Sequence, residues 1–214
     1  MSPDPHDRGP RTRWTALLSV ALLLVARVDS STANGREAES GSGTSASYSE
    51  ISDSELADLK LPRTLKRLSL KACQVTNAGL VHLEGLDELE YLLLESPGIS
   101  DDGLLALQAL PRLKSLFLNG TKVTDAGMSH LARMTKLRTL GLDESRVTDE
   151  GLKHLAKLTK LEWLYLNETA VSDAGLLRLE GMTQLKVLSV IGTEVTARGV
   201  EDLHRILPTV RIRR

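Results

Sequence analysis

The stretch Leu113–Lys136, LKSLFLNGTKVTDAGMSHLARMTK, is one copy of a unit that recurs along most of the chain. Its opening leucine has counterparts at Leu65, Leu89, Leu137, Leu161 and Leu185, which gives six units at a period of 24 residues with no insertion. Self-similarity at a period of about 20 to 50 residues marks a solenoid, in which each unit contacts only its neighbours and all share one continuous core.

The unit has two halves with different hydrophobic periods. In the first, Leu116 and Leu118 alternate with Ser115, Phe117 and Asn119, which predicts a half-buried strand. Strands of successive units are expected to pair in parallel along the concave side. A turn follows, carrying a small hydroxyl or thiol side chain at Cys73, Thr121, Ser145, Thr169 and Thr193. Such a group can satisfy loop backbone that would otherwise be buried unpaired. Pro97 breaks this column and predicts an irregularity at Ser96-Pro97-Gly98. The second half reads VTNAGL, ISDDGL, VTDAGM, VTDEGL, VSDAGL and VTARGV. Thr or Ser is a natural helix N-cap, and Asp101, Asp125, Asp149 and Asp173 suit the positive end of a helix dipole; capping accounts for this column without a metal ion. Gly79, Gly103, Gly127, Gly151, Gly175 and Gly199 are poor residues for a helix interior, so their recurrence predicts a close backbone approach between neighbouring turns. Met128, Leu131 and Met134 follow at helical spacing and face the core.

The ends depart from the repeat. Arg8, Arg11 and Arg13 precede an uncharged apolar run from Trp14 to Ala26. Residues 1–30 therefore read as a secretory signal peptide or an uncleaved N-terminal anchor, with Ser31-Thr32-Ala33 or Val28-Asp29-Ser30 as cleavage candidates. Either reading places the rest outside the cytoplasm. Residues 31–50 are rich in Ser, Gly, Ala and Glu and are expected to be a flexible linker. Residues 51–64 align with the second half of a unit and predict a capping half-repeat, with Ser52 and Glu55 at capping-box spacing. Residues 65–208 are the six repeats. In residues 209–214 the apolar pattern slips by one, and Val210 and Ile212 alternate with arginines as in a short closing strand.

With these residues in hand the chain resembles the 24-residue leucine-rich repeats of exported bacterial proteins, notably of planctomycetes, and is similar to the cysteine-containing repeats of F-box substrate receptors. The resemblance covers residues 51 to about 212. It implies an α/β leucine-rich-repeat solenoid with parallel strands on the concave face and short helices on the convex face. The F-box likeness would imply an intracellular substrate adaptor of a ubiquitin ligase; the signal-like start argues against it. A structural envelope protein is a further alternative.

Composition narrows the function. Net charge is −1, so no basic excess draws nucleic acid. The single Cys excludes an intramolecular disulfide and a cysteine-rich zinc site. His82, His130 and His154 share one helix position, as repeat-derived surface residues do. There is no P-loop, no G-x-S-x-G and no G-x-G-x-x-G. The expectation is a non-catalytic module without cofactor or metal. Positions between the strand leucines point outward on the concave side. Tyr91, Phe117, Trp163 and Tyr165 all fall there, while Trp14 and Tyr48 lie in the signal and linker. Tyr and Trp are enriched at binding hot spots. The candidate partner-binding set is Tyr91, Leu93, Glu95, Phe117, Asn119, Asp143, Trp163, Tyr165, Asn167 and Ile191. Gly141 leaves either a pocket floor between Phe117 and Tyr165 or a neutral gap. Six strands at ~4.8 Å spacing and side chains ~20 Å high give on the order of 500 Å², suited to a peptide, a glycan or a modest protein contact. A membrane enters only through an uncleaved N-terminal segment.

Overall fold

The computed structural model describes residues 44–214, all within a unit spanning Ala33–Arg214. Its centre is one parallel sheet of eight strands in sequence order. They are β1 Ser45–Ser49, β2 Arg67–Lys71, β3 Tyr91–Leu94, β4 Ser115–Phe117, β5 Thr139–Gly141, β6 Trp163–Tyr165, β7 Val187–Ser189 and β8 Arg211–Arg213. From β2 onward each residue pairs with the one 24 places later, so Leu68, Leu92, Leu116, Leu140, Leu164, Leu188 and Ile212 form one row. The row has one environment because it has one period. Leu68, Leu92, Leu116, Leu140, Leu164 and Leu188 are all fully buried.

Opposite the sheet run short helices: α1 Asp53–Asp58, α2 Leu104–Leu107, α3 Asp125–Leu131, α4 Asp149–Leu152, α5 Asp173–Leu177 and α6 Ala197–Ile206. Gly79–Leu83 forms a 3₁₀ helix, and so does Lys153–Lys157. A 24-residue unit spends its length on strand and turns, which leaves room for one to two helical turns. Leu131, Leu155 and Leu179 nevertheless reach the common core at full burial.

The glycine and aspartate columns turn out to be one device. Each Asp accepts two hydrogen bonds from the Thr or Ser that opens the helical half of the next repeat, backbone N–H to Oδ1 and hydroxyl to Oδ2. The pairs are Asp53 with Thr76, Asp101 with Thr124, Asp125 with Thr148, Asp149 with Ser172 and Asp173 with Thr196, all at 2.6–2.8 Å. In the remaining repeat Asn77 accepts from the Ser100 N–H and donates to its hydroxyl. A Cβ on Gly127 would overlap the Asp101 carboxylate; at Gly79, Gly151, Gly175 and Gly199 it would overlap the corresponding Asp, and at Gly103 the Asn77 carboxamide. The close approach predicted from the glycines is therefore made by a side chain, not by backbone. Hydrogen bonds to Thr196 hold the Asp173 carboxyl below the usual carboxylate range. Within the described residues the ladder begins at Asp53, and the preceding Ser52 bonds to Glu55 in a complete capping box. The last position of the column is Ala197.

Three turn and end features differ from expectation. Residues 45–49, assigned to the flexible linker, form β1, paired with β2 at a separation of 22 instead of 24. Ala46 and Tyr48 thereby enter the leucine rows beside Leu68 and Leu70 and pack on the core. The two-residue offset hid this strand from a search at the repeat period. Burial pushes the Tyr48 phenol up. At the other end, the pairing Leu188 with Ile212 keeps the 24-residue register, so the one-residue slip stops short of β8. His204 Nε2 lies 2.8 Å from the Val210 carbonyl and ties α6 to this last strand. At Pro97 the irregularity is resolved by its neighbour. Ser96 turns inward, 2.8 Å and 2.6 Å from the carbonyls of Cys73 and Val75, while Pro97 is exposed. In three other repeats the hydroxyl column works as expected: Thr121, Thr169 and Thr193 donate to the carbonyls of Leu118, Leu166 and Val190, whereas the buried Ser145 hydroxyl has no hydrogen-bond partner among the described residues. The buried Cys73 thiol donates to Lys71 O at 3.3 Å, and burial raises its pKa, as befits a structural thiol.

Candidate functional site

The concave face of the sheet carries three rows of side chains. The first contains Arg67, Tyr91, Ser115, Thr139, Trp163, Val187 and Arg211; the second contains Ser69, Leu93, Phe117, Gly141, Tyr165, Ser189 and Arg213. Just beyond the strand ends lie Glu95, Asn119, Asp143, Asn167 and Ile191.

The four aromatics are half-buried, because they pack on one another and on cations. Ring centroids of Tyr91 and Phe117 are 5.5 Å apart, and those of Phe117 and Tyr165 are 6.2 Å apart although they stand two strands from each other. Gly141 makes the second contact possible. A Cβ there would lie 2.5 Å from Phe117 Cδ1, so the Phe117 ring leans across the glycine. The gap foreseen at Gly141 is filled, which removes the reading of a pocket floor. The Arg67 guanidinium sits 4.5 Å from the Tyr91 ring centroid, and Lys186 Nζ sits 5.4 Å from that of Trp163. These are cation–π distances.

Leu93 needs correction as a partner-contacting residue. It is 2 % exposed and lies within the face instead of upon it. Phe117 is its neighbour in the next strand, and flanking large side chains exclude solvent from a central aliphatic position.

Asn119, Asp143 and Asn167 form a second ladder. Asn119 Oδ1 accepts from the Asp143 N–H at 3.2 Å, Asp143 Oδ1 from the Asn167 N–H at 2.8 Å, and Asn167 Oδ1 from the Ile191 N–H at 2.9 Å. The Ser189 hydroxyl also donates to Asn167 Oδ1. These residues hold strand ends together, a role that sequence spacing left unseen because their polar character fits a solvated rim equally well.

Burial pushes the Asp143 carboxyl up to about 6; the Asn167 bonds oppose this, and the charges of Glu144 and Glu168 add to it. Burial also raises Glu95, with Lys71 opposing and Glu144 reinforcing. Glu144 and Glu168 are exposed, with φ of 58° and 56°. Gly120 and Gly192 occupy the same turn position in the flanking repeats, at φ of 65° and 72°. Left-handed backbone costs a non-glycine residue about 1 kcal/mol. Two glutamates thus stand where glycine suits the backbone better. Among the described residues no Lys or Arg forms an ion pair with Glu95, Asp143, Glu144 or Glu168.

Several basic side chains are engaged in the row before the strands, while the charge of Lys71 reaches Glu95. Along the row preceding the strands Lys114 pairs with Glu90 at 2.9 Å, and Arg138 and Lys186 both pair with Glu162, whose side chain is 8 % exposed. The hydrogen bonds from Lys186 and Arg138 hold Glu162 below the usual carboxylate range.

Among the described residues no group of three or more His, Cys, Asp or Glu is arranged to hold a metal ion, and no helix is long and apolar enough to cross a membrane. The signal-like segment 1–30 lies outside the described residues.

No protein-family model and no curated protein sequence matches the chain. Solved structures do. The chain is similar to internalin C2 of Listeria monocytogenes at a TM-score of 0.57 and 22 % identity, over 79 % of this chain and 80 % of that one. It is similar to a leucine-rich-repeat protein of Leptospira interrogans at a TM-score of 0.54 and 21 % identity, over 70 % of this chain and 37 % of that one. The chain therefore spans little more than a third of the Leptospira protein. At these identities the likeness concerns the fold, and it agrees with the parallel sheet, the 24-residue register and the short helices: the protein is an α/β leucine-rich-repeat solenoid.

Proposed function

We propose that this solenoid is an exported, non-catalytic binding module that takes a protein or peptide segment on its concave face. One observation carries the reading. Tyr91, Phe117, Trp163 and Tyr165 stand on that face, in a fold whose core is filled by leucine, valine and methionine. Large rigid side chains on a fixed sheet offer contact area at little entropic cost, as binding hot spots do. Export rests on the basic, then apolar, N-terminal sequence; the planctomycete-type resemblance points the same way. Solenoids present extended surfaces of this kind to partners.

A pull-down from the native cell envelope tests the site. Wild-type protein is expected to capture a partner that a Phe117→Ala/Tyr165→Ala variant does not, with the variant's far-ultraviolet circular dichroism unchanged. Equal capture by both would remove the concave face from consideration. N-terminal sequencing of the mature protein, with its cell fraction, tests export.

A further inference from the structure

We propose that the segment bound on the concave face is an extended, cationic stretch of polypeptide, with Lys or Arg side chains laid over Phe117 and Tyr165 and against Glu95, Asp143, Glu144 and Glu168. The inference rests on the concave-face reading above and adds the partner's chemistry.

The first argument is that the face already accepts cations. Arg67 covers Tyr91 and Lys186 covers Trp163. These two aromatics stand in the first row. Phe117 and Tyr165, in the second row, have aromatic neighbours and, among the described residues, no Lys or Arg stacked over their rings, although the charge of Arg213 reaches Tyr165. An aromatic surface rimmed by carboxylates favours a positive guest, since ring faces and carboxylates attract the same charge.

The second argument is charge complementarity. Glu95, Asp143, Glu144 and Glu168 follow the ends of β3, β5 and β6 along one side of the stripe, and no described cation pairs with them. Burial is the main reason the Glu95 and Asp143 carboxyls are raised, and repulsion from Glu144 adds to both. A cationic guest relieves that repulsion. The positions of Glu144 and Glu168 are also costly, since glycine serves the same turn in the neighbouring repeats. From β3 to β6 the lip spans three strand spacings, about 14 Å, or roughly four residues of extended chain. Two alternating positive side chains fit that length.

The test uses the full chain and a fluorescein-labelled decapeptide alternating Lys and Thr, with a Glu-Thr decapeptide as control. The Lys-Thr peptide is expected to bind, more weakly as salt is raised, and the Glu-Thr peptide to show no binding. Glu144→Gly/Glu168→Gly is expected to weaken Lys-Thr binding about tenfold with a melting temperature equal to or above that of the wild type, because Gly120 and Gly192 already fit this turn. Equal binding of Lys-Thr peptide by wild type and this variant, or binding of the Glu-Thr peptide in its place, overturns the cationic assignment. If the Lys-Thr peptide does not bind while envelope capture still depends on Phe117 and Tyr165, the cationic assignment fails and the concave reading stands. If capture is indifferent to those rings, the concave reading itself fails.

Discussion

Two ladders of side chains run along this solenoid, and they solve one problem in different ways. At the helix starts, Asp53, Asn77, Asp101, Asp125, Asp149 and Asp173 each grip the Thr or Ser that opens the next repeat's helical half by two hydrogen bonds. At the strand ends, Asn119, Asp143 and Asn167 each take one backbone N–H of the next repeat. The first ladder has a dedicated glycine column to admit it and, among the described residues, runs from Asp53 to Asp173. The second occupies the middle repeats only, borders the aromatic stripe, and includes a carboxyl raised to about 6. A column present in every repeat reports on stacking. A column that changes from repeat to repeat is where the surface acquires a character of its own.

The largest expected effect comes from breaking the first ladder by overfilling it. Gly127→Ala puts a methyl group into the Asp101 carboxylate. Losing two charge-assisted bonds costs about 3 kcal/mol, partly offset by the better helix propensity of Ala, for a net loss of about 2 kcal/mol. Urea denaturation is the measurement, and an unchanged midpoint would show that the clasp contributes little. Asp125→Ala is expected to lose about 2 kcal/mol by the same measure. Asp125→Asn is expected to cost less than about 1 kcal/mol, because Asn77 already serves Ser100 through the same two contacts; an Asn variant as damaged as the Ala variant would mean that charge, and not geometry, sustains the ladder.

The second ladder is distinguished by its pH response. The Asp143 carboxyl titrates near 6 in the folded chain, above its ordinary value of 3.8. Between those values the folded state binds more protons than the unfolded state, so this group's contribution to stability is fully present below 3.8 and is lost as pH rises through about 6. Asp143→Asn retains an oxygen acceptor, as Asn119 and Asn167 do at the same position. The variant is expected to melt above the wild type at pH 7.5 and to lack this step between pH 4 and 6. Parallel melting curves for the two proteins across that window would contradict the burial argument. A small effect is expected at the stripe. Gly141→Ala presses on the movable Phe117 ring and on Asn119 Oδ1 and is expected to cost about 1 kcal/mol, with the loss of ring contact to Tyr165 visible in near-ultraviolet circular dichroism.

Much of the architecture could be read from the period alone. Equal spacing gives equal neighbours, so one leucine's environment settles that of its whole row. The aromatics were assigned to the concave face by the same alternation. Where the period fails, legibility fails with it. β1 pairs at 22 residues and lacks leucines, so Tyr48 looked like linker although it joins the Leu70 row. Leu93 was placed on the right face, yet outward direction does not guarantee exposure when large side chains stand beside it.

The sequence by itself determined the solenoid, its strand rows, its helix starts and the face on which the aromatics stand, because these follow from chain periodicity and from the alternation of side chains. The tertiary structure decided what each polar column bonds to. Asp101 and its counterparts look like helix-dipole caps in one dimension and prove to be acceptors for the following repeat. Tertiary structure also decided that Phe117 spans Gly141 to reach Tyr165, and that Arg67 and Lys186 cover two of the four aromatic rings. Such choices depend on distances between side chains 24 or 48 residues apart, which the period brings near one another without specifying which atoms meet.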